Sequence, residues 1–312
     1  MTKKNDFATK VNALVQQQKV SWSLAAINYA GLERIETRSF DFSGFRIITQ
    51  FNPERIRSSA AKTDSQSIRE RPCFLCEGNQ PEEQKGIDFK GKYTILVNPY
   101  PIFTAHLTIP LNEHRRQEIE PYFDDMLQLS KELHDFTIFY NGPNCGASAP
   151  DHFHFQAGNK NVMPIDSEID MISIKYGKLL FKNENTIISA IGKEYLRKLI
   201  MLKSSSPEEI AVKFRQILSV LKTDRHEGEP MLNVLCNYEH GIWKVVIFPR
   251  SKQRPEQFFA EGKDRILMSP AAVEMGGLVI LPRKEDFDKL TKNDLTDIYQ
   301  QVTIREQPFL TS

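Results

Sequence analysis

Polar and aromatic residues alternate in one short segment of the chain, PDHFHFQAGNK. Successive side chains of a β-strand point to opposite faces, so this spacing predicts a strand with two different faces. His152, His154 and Gln156 would share one face, while Phe153 and Phe155 would share the other. The aromatic face is suited to burial, and the polar face is suited to a ligand or to chemistry.

Hydrophobic periodicity predicts a mixture of helices and strands along the rest of the chain. Helical spacing is present over residues 7–17, 115–134 and 207–222. Short apolar runs bounded by turn residues predict the strands WSLAAINYA, RIETRSFDF, FRIITQF, YTILVNPYP, AHLTIPL, FTIFYN and HFHFQAG. LNVLCNYEHGIWKVVIFPR predicts a hairpin that turns near His240, and a long polar loop around CFLC is expected over residues 52–92.

The two halves of the sequence share an order of apolar strand, proline, charged residues and helix. This order is found in AHLTIPLNEHRRQEIEPYFDDMLQLSKEL and again in GGLVILPRKEDFDKLTKNDLTDIYQQV. Laying Pro110 on Pro282 places His114 opposite Asp286, and IWKVVIFP, the expected counterpart of HFHFQAG, lacks both histidines. We therefore expect two related halves with the chemistry in the first, although a generic strand-to-helix unit would give the same pattern.

Composition excludes several classes of protein. A length of 312 residues suits one large domain or two ordinary ones. The 41 basic and 40 acidic residues argue against a nucleic-acid partner bound by a broad basic surface. Four cysteines are too few for a disulfide scaffold. No apolar run has signal-peptide or membrane-helix character, so we expect a soluble cytoplasmic protein without a membrane partner.

Small residues dominate the turn before the paired histidines, NGPNCGAS, which we name the small-residue turn (residues 141–148). Such residues let a backbone approach a phosphate closely, and the candidate donors are the N–H groups of Gly142, Gly146 and Ala147 and the Ser148 hydroxyl. A neutral imidazole is a good nucleophile toward phosphorus, and the Gln156 amide can donate to a phosphate oxygen. Together these features favour a phosphate-handling site over a solvated polar strand.

A second group of residues has the chemistry of a metal site. RPCFLCEGN places Cys73 and Cys76 at the spacing of a zinc knuckle, although a redox dithiol or two unpaired thiols would also fit. His114 and His152 are the candidate remaining ligands, and His106 is a rival to His114. The alternatives are a solvated loop for His114 and packing for His106. Four protein ligands leave no open position, so such a zinc ion would be structural.

Three features together resemble the galactose-1-phosphate uridylyltransferase branch of the histidine-triad (HIT) superfamily, which includes diadenosine tetraphosphate phosphorylases and GDP-hexose phosphorylases. They are CFLCEGN, the strand-Pro-x-x-x-His stretch that ends at His114, and N-x₄-GAS…HFHFQ. The resemblance is strong over about residues 45–160 and weaker over 225–305. The H-x-H-F-Q form is more similar to that of the GDP-hexose phosphorylases than to the H-P-H of the uridylyltransferases.

This resemblance implies an α+β, HIT-like fold with two related halves, in which antiparallel sheet is flanked by helices. Residues 1–44 would form an N-terminal helix and strands that pack on the core. Residues 45–165 would form the catalytic half with the zinc site, and residues 166–312 would form a second half without the His motif.

The resemblance also assigns roles to individual residues. It implies that His154 is the nucleophile that takes the nucleoside monophosphate and that Gln156 holds the phosphate. The residues that would line the phosphate pocket are Asn141, Gly146, Ala147 and Ser148. The implied zinc ligands are Cys73, Cys76, His114 and His152.

Basic segments on both sides of the motif are weaker candidates for phosphate or nucleotide contacts. NPERIRSSAAK, upstream of CFLC, contributes Arg55, Arg57 and Lys62. PRSKQRP, in the second half, contributes Lys252 and Arg254, for which a solvated basic loop is an equal alternative.

The leading hypothesis is a ping-pong nucleotidyltransferase or phosphorylase with a nucleotidyl-histidine intermediate. The donor would be a nucleotide sugar or a dinucleoside polyphosphate, and the acceptor would be phosphate or a sugar 1-phosphate. Zinc is the expected cofactor, and no organic cofactor is expected. A homodimer is suggested only because members of the family often form pairs. The alternatives are a non-catalytic nucleotide-binding module and a redox-regulated Cys-x-x-Cys protein.

Overall fold

The computed structural model describes residues 7–56, 68, 70–192, 194–222 and 228–304. The α-helices in these ranges are α1 (Phe7–Ser21), α2 (Ser23–Gly31), α3 (Phe123–Glu132), α4 (Pro164–Tyr176), α5 (Pro207–Leu221), α6 (Glu256–Phe259), α7 (Ala272–Met275), α8 (Lys284–Lys289) and α9 (Lys292–Val302). The strands are β1 (Glu36–Phe42), β2 (Phe45–Phe51), β3 (Gly86–Phe89), β4 (Tyr93–Val97), β5 (His106–Pro110), β6 (Phe136–Asn141), β7 (His154–Asn159), β8 (Gly177–Lys182), β9 (Thr186–Ile191), β10 (Leu199–Ser204), β11 (Leu232–Glu239), β12 (Ile242–Pro249) and β13 (Leu278–Leu281).

One large sheet contains ten of these strands in the order β3-β4-β5-β7-β6-β11-β12-β10-β9-β8. Neighbouring strands in it are antiparallel, and β6 pairs with β11 at the centre. Each side of that pair has the same connectivity, with three strands, one helix (α3 or α5) and two more strands. The expected α+β fold with two related halves is therefore confirmed.

The topology corrects the proposed alignment of the halves. By its place in the sheet, the counterpart of β5 is β10, whereas β13 pairs in parallel with β2 in a separate sheet of order β1-β2-β13. The match of Pro110 to Pro282 was therefore wrong, because a strand followed by proline and a helix is a generic unit. β12 does lie where the counterpart of β7 was expected.

The large sheet separates two hydrophobic cores. On one face, side chains of α1, α2, α3 and α5 pack on the strands, and on the other face α4, α7, α8, α9 and the small sheet do so. Phe153 and Phe155 are fully buried on the first face. The Phe153 ring centroid lies 4.2 Å from that of Tyr122 and 4.9 Å from that of Phe155. The aromatic side of the predicted strand is thus part of the core.

Three sequence-based assignments fail locally. The loop expected over residues 52–92 contains the strand β3. WSLAAINYA is helical rather than extended, and Ala25, Asn28 and Tyr29 are buried at helical spacing. A short apolar run fits a buried strand and a buried helix equally well, and packing decides between them. The helix expected from residue 115 begins only at Phe123. No described helix has both the length and the apolar character that crossing a bilayer requires.

The hairpin between β11 and β12 turns where it was predicted to turn. His240 and Gly241 are its two connecting residues, and their φ angles are 51° and 83°. Positive φ at both central residues is typical of the tight turn that matches strand twist.

Replacing Phe153 with alanine tests whether its ring belongs to the core. The change leaves a cavity at a fully buried position, so the free energy of unfolding should fall by about 3–5 kcal/mol. Phe259→Ala is the control, because that ring is 69% exposed, and its loss should change the free energy by less than about 0.5 kcal/mol. Urea titrations followed by circular dichroism measure both values, and equal losses would contradict the burial argument.

Candidate active site and metal-binding cluster

The strand that carries the motif begins at His154, so His152 lies just before it. The ladder between β5 and β7 ends at the pair Pro110–His154. Beyond this pair the Leu111 N–H still donates to the Phe153 carbonyl at 3.0 Å, but the Phe153 N–H leaves the ladder and donates to the Arg115 carbonyl. The prediction that His152 shares a strand face with His154 and Gln156 was therefore wrong. His154 and Gln156 line a cavity, whereas His152 turns to the two cysteines.

His154 is held in one tautomer. Its Nδ1 lies 2.9 Å from the carbonyl oxygen of His152. A carbonyl only accepts, so Nδ1 carries the hydrogen and Nε2 keeps the lone pair. The side chain is 2% exposed, and this burial lowers the pKa of His154 to about 4. The imidazole is therefore neutral near pH 7, the state that a nucleophile needs.

Gln117 fixes the backbone around His154. Its Oε1 accepts the His154 N–H at 2.8 Å, and its Nε2 donates to the carbonyls of His154 and Asn141, each at 3.0 Å. Sequence reasoning missed this residue because it lies in a charged segment, RRQEIE, that reads as a helix surface. The amide ties the start of β7 to the end of β6.

Two adjoining cavities meet at Asn98, Ser148 and Gln156. The first is mainly apolar, and residues that line it include Trp22, Leu24, Arg71, Phe74, Leu75, Asn79, Gln84 and His154. The second is mainly polar, and residues that line it include Arg55, Asn141, Gly146, Ala147, Gln253, Arg254, Ser269 and Glu274. Among the described residues, the candidates His154, Gln156, Asn141, Gly146, Ala147 and Ser148 thus line these two adjoining cavities.

The small-residue turn presents fewer free donors than expected. The N–H of Gly142 donates to the Leu232 carbonyl at 3.1 Å, and that of Ala147 donates to the Gly142 carbonyl at 3.4 Å. The N–H groups of Gly146 and Ser148 make no hydrogen bond to another residue that the structure describes. The expected contribution of Gly142 and Ala147 is therefore corrected, and Gly146 and Ser148 are the better backbone donors.

The backbone conformation and the close packing at position 146 both require glycine. The φ of Gly146 is +100°, and a Cβ there would lie 2.6 Å from the Cβ of Ala271, in the second half. Asn141 makes a similar link, since its Oδ1 accepts from Asn233 Nδ2 at 2.9 Å and from the Ala272 N–H at 2.8 Å. With its oxygen engaged, Asn141 has only its Nδ2 group to offer the polar cavity.

The basic candidates separate into three groups. Arg55 and Arg254 line the polar cavity, and Arg254 Nε donates to Ser269 Oγ at 3.2 Å. Lys252 lines a different cavity, and its Nζ lies 3.5 Å from Glu256 Oε1. Arg57 and Lys62 lie outside the described residues.

Arg71 lines the apolar cavity beside His154, and sequence reasoning did not single it out. Its Nη2 donates to the Ser148 carbonyl at 2.8 Å, and its guanidinium carbon lies 4.9 Å from the centroid of the Phe74 ring. Its buried Nε has no partner among the described residues. The only sequence signal was its position two residues before Cys73.

Cys73, Cys76, His114 and His152 form a cluster that could hold a metal ion, with ligand atoms all within 4.8 Å of one another. Cys73 Sγ lies 3.2 Å from His152 Nδ1, and Cys76 Sγ lies 3.2 Å from His114 Nδ1. Thiolates and imidazoles at these separations are the donors that zinc prefers. His106, the rival to His114, lies at the start of β5 and is hydrogen-bonded to Gln156 instead of joining this cluster.

The outer ring nitrogens of both histidines have partners. His152 Nε2 donates to the Leu111 carbonyl at 2.7 Å, which leaves the Nδ1 lone pair facing the cysteines. His114 Nε2 lies 3.6 Å from Asp151 Oδ2. Metal-bound histidines usually have such partners, which fix the ring and its tautomer. The four ligand atoms therefore fit a metal ion, and so do the groups that hold the far side of each histidine ring.

Two family models match the chain. Residues 14–159 match a domain of unknown function (DUF4922), and residues 173–311 match the GDPGP1-like, C-terminal domain. A search of curated proteins gives no match.

Solved structures of yeast Ap4A phosphorylase Apa2 are similar over nearly the whole chain. The complex with Ap4A has a TM-score of 0.64 at 16% identity and covers 95% of this chain and 97% of that chain. A second structure of the enzyme has a TM-score of 0.61 at 15% identity, covering 93% and 97%. The complex with AMP has a TM-score of 0.56 at 15% identity, covering 93% and 96%. The chain therefore has the HIT-like fold of yeast Ap4A phosphorylase, and its second half matches the model of the GDPGP1-like, C-terminal domain.

Proposed function

We propose that this chain is a nucleotidyltransferase or phosphorylase that carries a nucleoside monophosphate on His154. The observation that supports it best is a neutral, tautomer-fixed imidazole beside a cavity that Gln156 and the small-residue turn also line. His154 Nε2 attacks the α-phosphorus of the donor, and the phosphoanhydride bond breaks as the leaving group departs as a phosphate anion. A phosphate oxygen of the acceptor then attacks, and the N–P bond breaks to regenerate the imidazole.

Charge that develops on the phosphoryl oxygens has donors around it. The Gln156 and Asn141 amides and the N–H groups of Gly146 and Ser148 are in place before substrate binds. Arg254 adds a fixed positive charge in the polar cavity. Preorganised donors of this kind stabilise a transition state more than a flexible solvent does.

The two cavities suit the two parts of a donor. The apolar one, with Trp22 and Phe74, suits a nucleobase, and the polar one suits the leaving group of a nucleotide sugar or dinucleoside polyphosphate. The acceptor, phosphate or a sugar 1-phosphate, would take the same polar place. The complexes of the yeast enzyme with Ap4A and AMP support a nucleotide substrate. A homodimer stays a prediction.

Two side-chain amides bear on the choice of base. Asn79 Nδ2 donates to the Cys73 carbonyl at 2.9 Å, and Gln84 Nε2 donates to the Val97 carbonyl at 3.2 Å. Both residues line the apolar cavity, and no hydrogen bond to their side-chain oxygens comes from another residue that the structure describes, so the oxygens are candidate acceptors for a base. A guanine edge, with N1–H and N2–H₂ donors, matches two acceptors better than an adenine edge, which has one amino donor.

The metal-binding cluster is proposed as a structural zinc site. Four protein ligands leave no position for substrate, so the ion would hold the CFLC loop against the end of β5. His114 and His152 would then be unavailable as acid or base. A phosphate leaving group, stable as an anion, departs without one.

Labelling with nucleotide donors tests the covalent intermediate. Incubation with UDP-, GDP- or ADP-glucose or Ap4A, without acceptor, should add one nucleoside monophosphate to the intact mass. His154→Ala should abolish the addition because it removes the attacking nitrogen. His134→Ala, at an exposed histidine, is the matched control and should keep it. A folded, metal-loaded wild type that gains no mass from any donor would favour the non-catalytic binding module.

Metal analysis tests the proposed zinc site. Purified protein should contain one zinc ion per chain by elemental analysis, and Cys76→Ser should lose most of it because a thiolate ligand is gone. Cys236→Ser is the matched control, since that thiol is buried on β11 and lies outside the cluster. A zinc-free wild type that forms a Cys73–Cys76 disulfide on mild oxidation would support the redox alternative instead.

Alanine variants separate the two basic candidates of the second half. Arg254→Ala should lower kcat/KM at least about tenfold, because a charged contact to phosphate is lost. Lys252→Ala should stay within roughly twofold, since an exposed pair with Glu256 contributes little. Steady-state assays with the donor that labels His154 measure both variants, and equal losses would show that the cavity assignment is wrong.

A further inference from the structure

His106 is a fully buried histidine near the proposed site. It is the first residue of β5, and its ring centroid lies 5.3 Å from that of Phe103 and 6.0 Å from that of Phe139. Packing was the explanation favoured by sequence. Packing does not account for the hydrogen bonds, because both ring nitrogens have specific partners.

The tautomer of His106 is fixed by the backbone. The N–H of Ile102 donates to Nδ1 at 3.2 Å. A backbone N–H can only donate, so Nδ1 is the acceptor and Nε2 carries the hydrogen of the neutral ring. Burial lowers the pKa of His106 to about 3, with a further lowering from the charge of Arg55. The ring is therefore neutral, and the second hydrogen bond has a defined direction.

The second hydrogen bond reaches Gln156, the residue proposed to donate a hydrogen bond to the phosphate. His106 Nε2 lies 3.1 Å from Gln156 Oε1, so its hydrogen is donated to the carboxamide oxygen. Gln156 Nε2 makes no hydrogen bond to another residue in the described part of the chain. A carboxamide whose oxygen is held on one side presents its NH₂ group on the other. Gln156 lines both cavities, so this NH₂ group is the part available to a phosphoryl oxygen.

We infer that His106 is a positioning residue that holds the Gln156 carboxamide with its NH₂ group toward the transferred phosphoryl group. Without the His106 N–H, the Gln156 carboxamide can rotate and present its oxygen to the cavity, where that oxygen would repel a phosphate. The inference rests on the proposed function, because it gives Gln156 a partner on the substrate. It assigns His106 no contact with substrate.

The surroundings of His106 support a fixed position. Tyr29 Oη, from α2, donates to the His106 carbonyl and accepts its backbone N–H, each at 3.2 Å. On β7, His106 pairs with Gly158, where a Cβ would lie 2.4 Å from the Phe103 ring. A glycine is therefore needed for the rings to pack this closely. The network links α2, β5 and β7 behind the cavity.

Two conservative variants separate the two ring nitrogens. His106→Asn can keep an acceptor for the Ile102 N–H but lacks the reach of Nε2, so it should release Gln156. His106→Gln can place an N–H near the position of Nε2 and should keep much of the function. Single-turnover labelling of His154, followed by intact mass, gives the rate of the first half-reaction and the donor concentration for half-maximal rate.

We expect His106→Asn to lower the maximal labelling rate by roughly 10- to 100-fold with a small change in half-saturation, because a misplaced group costs chemistry more than binding. His106→Gln should recover most of that rate. In a Gln156→Ala background, His106→Asn should cause little further loss, since the residue that it positions is absent. Thermal unfolding of each variant confirms that the comparison is between folded proteins.

Two outcomes overturn the inference alone while the wild type labels normally. In one, the losses from His106→Asn and Gln156→Ala multiply. In the other, His106→Gln is as slow as His106→Asn although both are folded. A wild type that does not label with any donor overturns the proposed function, and with it the role of Gln156 as a donor to the phosphoryl group.

Discussion

The antiparallel register of β5 against β7 is the constraint on which the site depends. It sets Thr108 opposite Gln156 and Pro110 opposite His154. Strand alternation then sends Phe155 into the core covered by helices, and Phe153, just before the strand, packs in the same core. A slip of one residue would exchange the faces, placing the imidazole in the core and the aromatic rings in the cavity. Burial of the aromatic face therefore fixes the direction in which His154 and Gln156 point, because the two faces of one strand cannot move separately.

The second half lacks the histidine pair, yet it contributes part of the lining of the polar cavity. Arg250, just after β12, is buried and donates to the carbonyls of Gln253 and Pro270. It also donates to Asn233, whose own amide donates to the small-residue turn. One buried cation thus joins the loop that carries Arg254 to the turn of the first half. Removing one partner of such a network leaves buried polar groups unpaired, so the halves are held in a defined relation.

Sequence could predict elements whose signals are local. The alternation in β7, the hairpin turn and the Cys-x-x-Cys spacing each depend on neighbouring residues. WSLAAINYA was misassigned because its pattern is compatible with both structures, and the repeat was misaligned because its pattern is common. The roles of Gln117, Arg71 and His106 could not be recognised, since their partners lie 37, 77 and 50 residues away. Their importance comes from sheet register and loop packing, which no short pattern encodes.

Asp151 lies between the metal-binding cluster and the proposed phosphate site. Its carboxylate is 3.6 Å from His114 Nε2 and 3.9 Å from Arg71 Nη2, and Arg71 donates to the Ser148 carbonyl. Long, partly exposed ion contacts contribute little energy individually, so their effect is on position. A metal site with no position for substrate would then have a structural purpose beside the cavity. The ion would hold the loop that carries Arg71 and Phe74 against the small-residue turn. Its loss would loosen one wall of the cavity while leaving the nucleophile and the Gln156 amide in place.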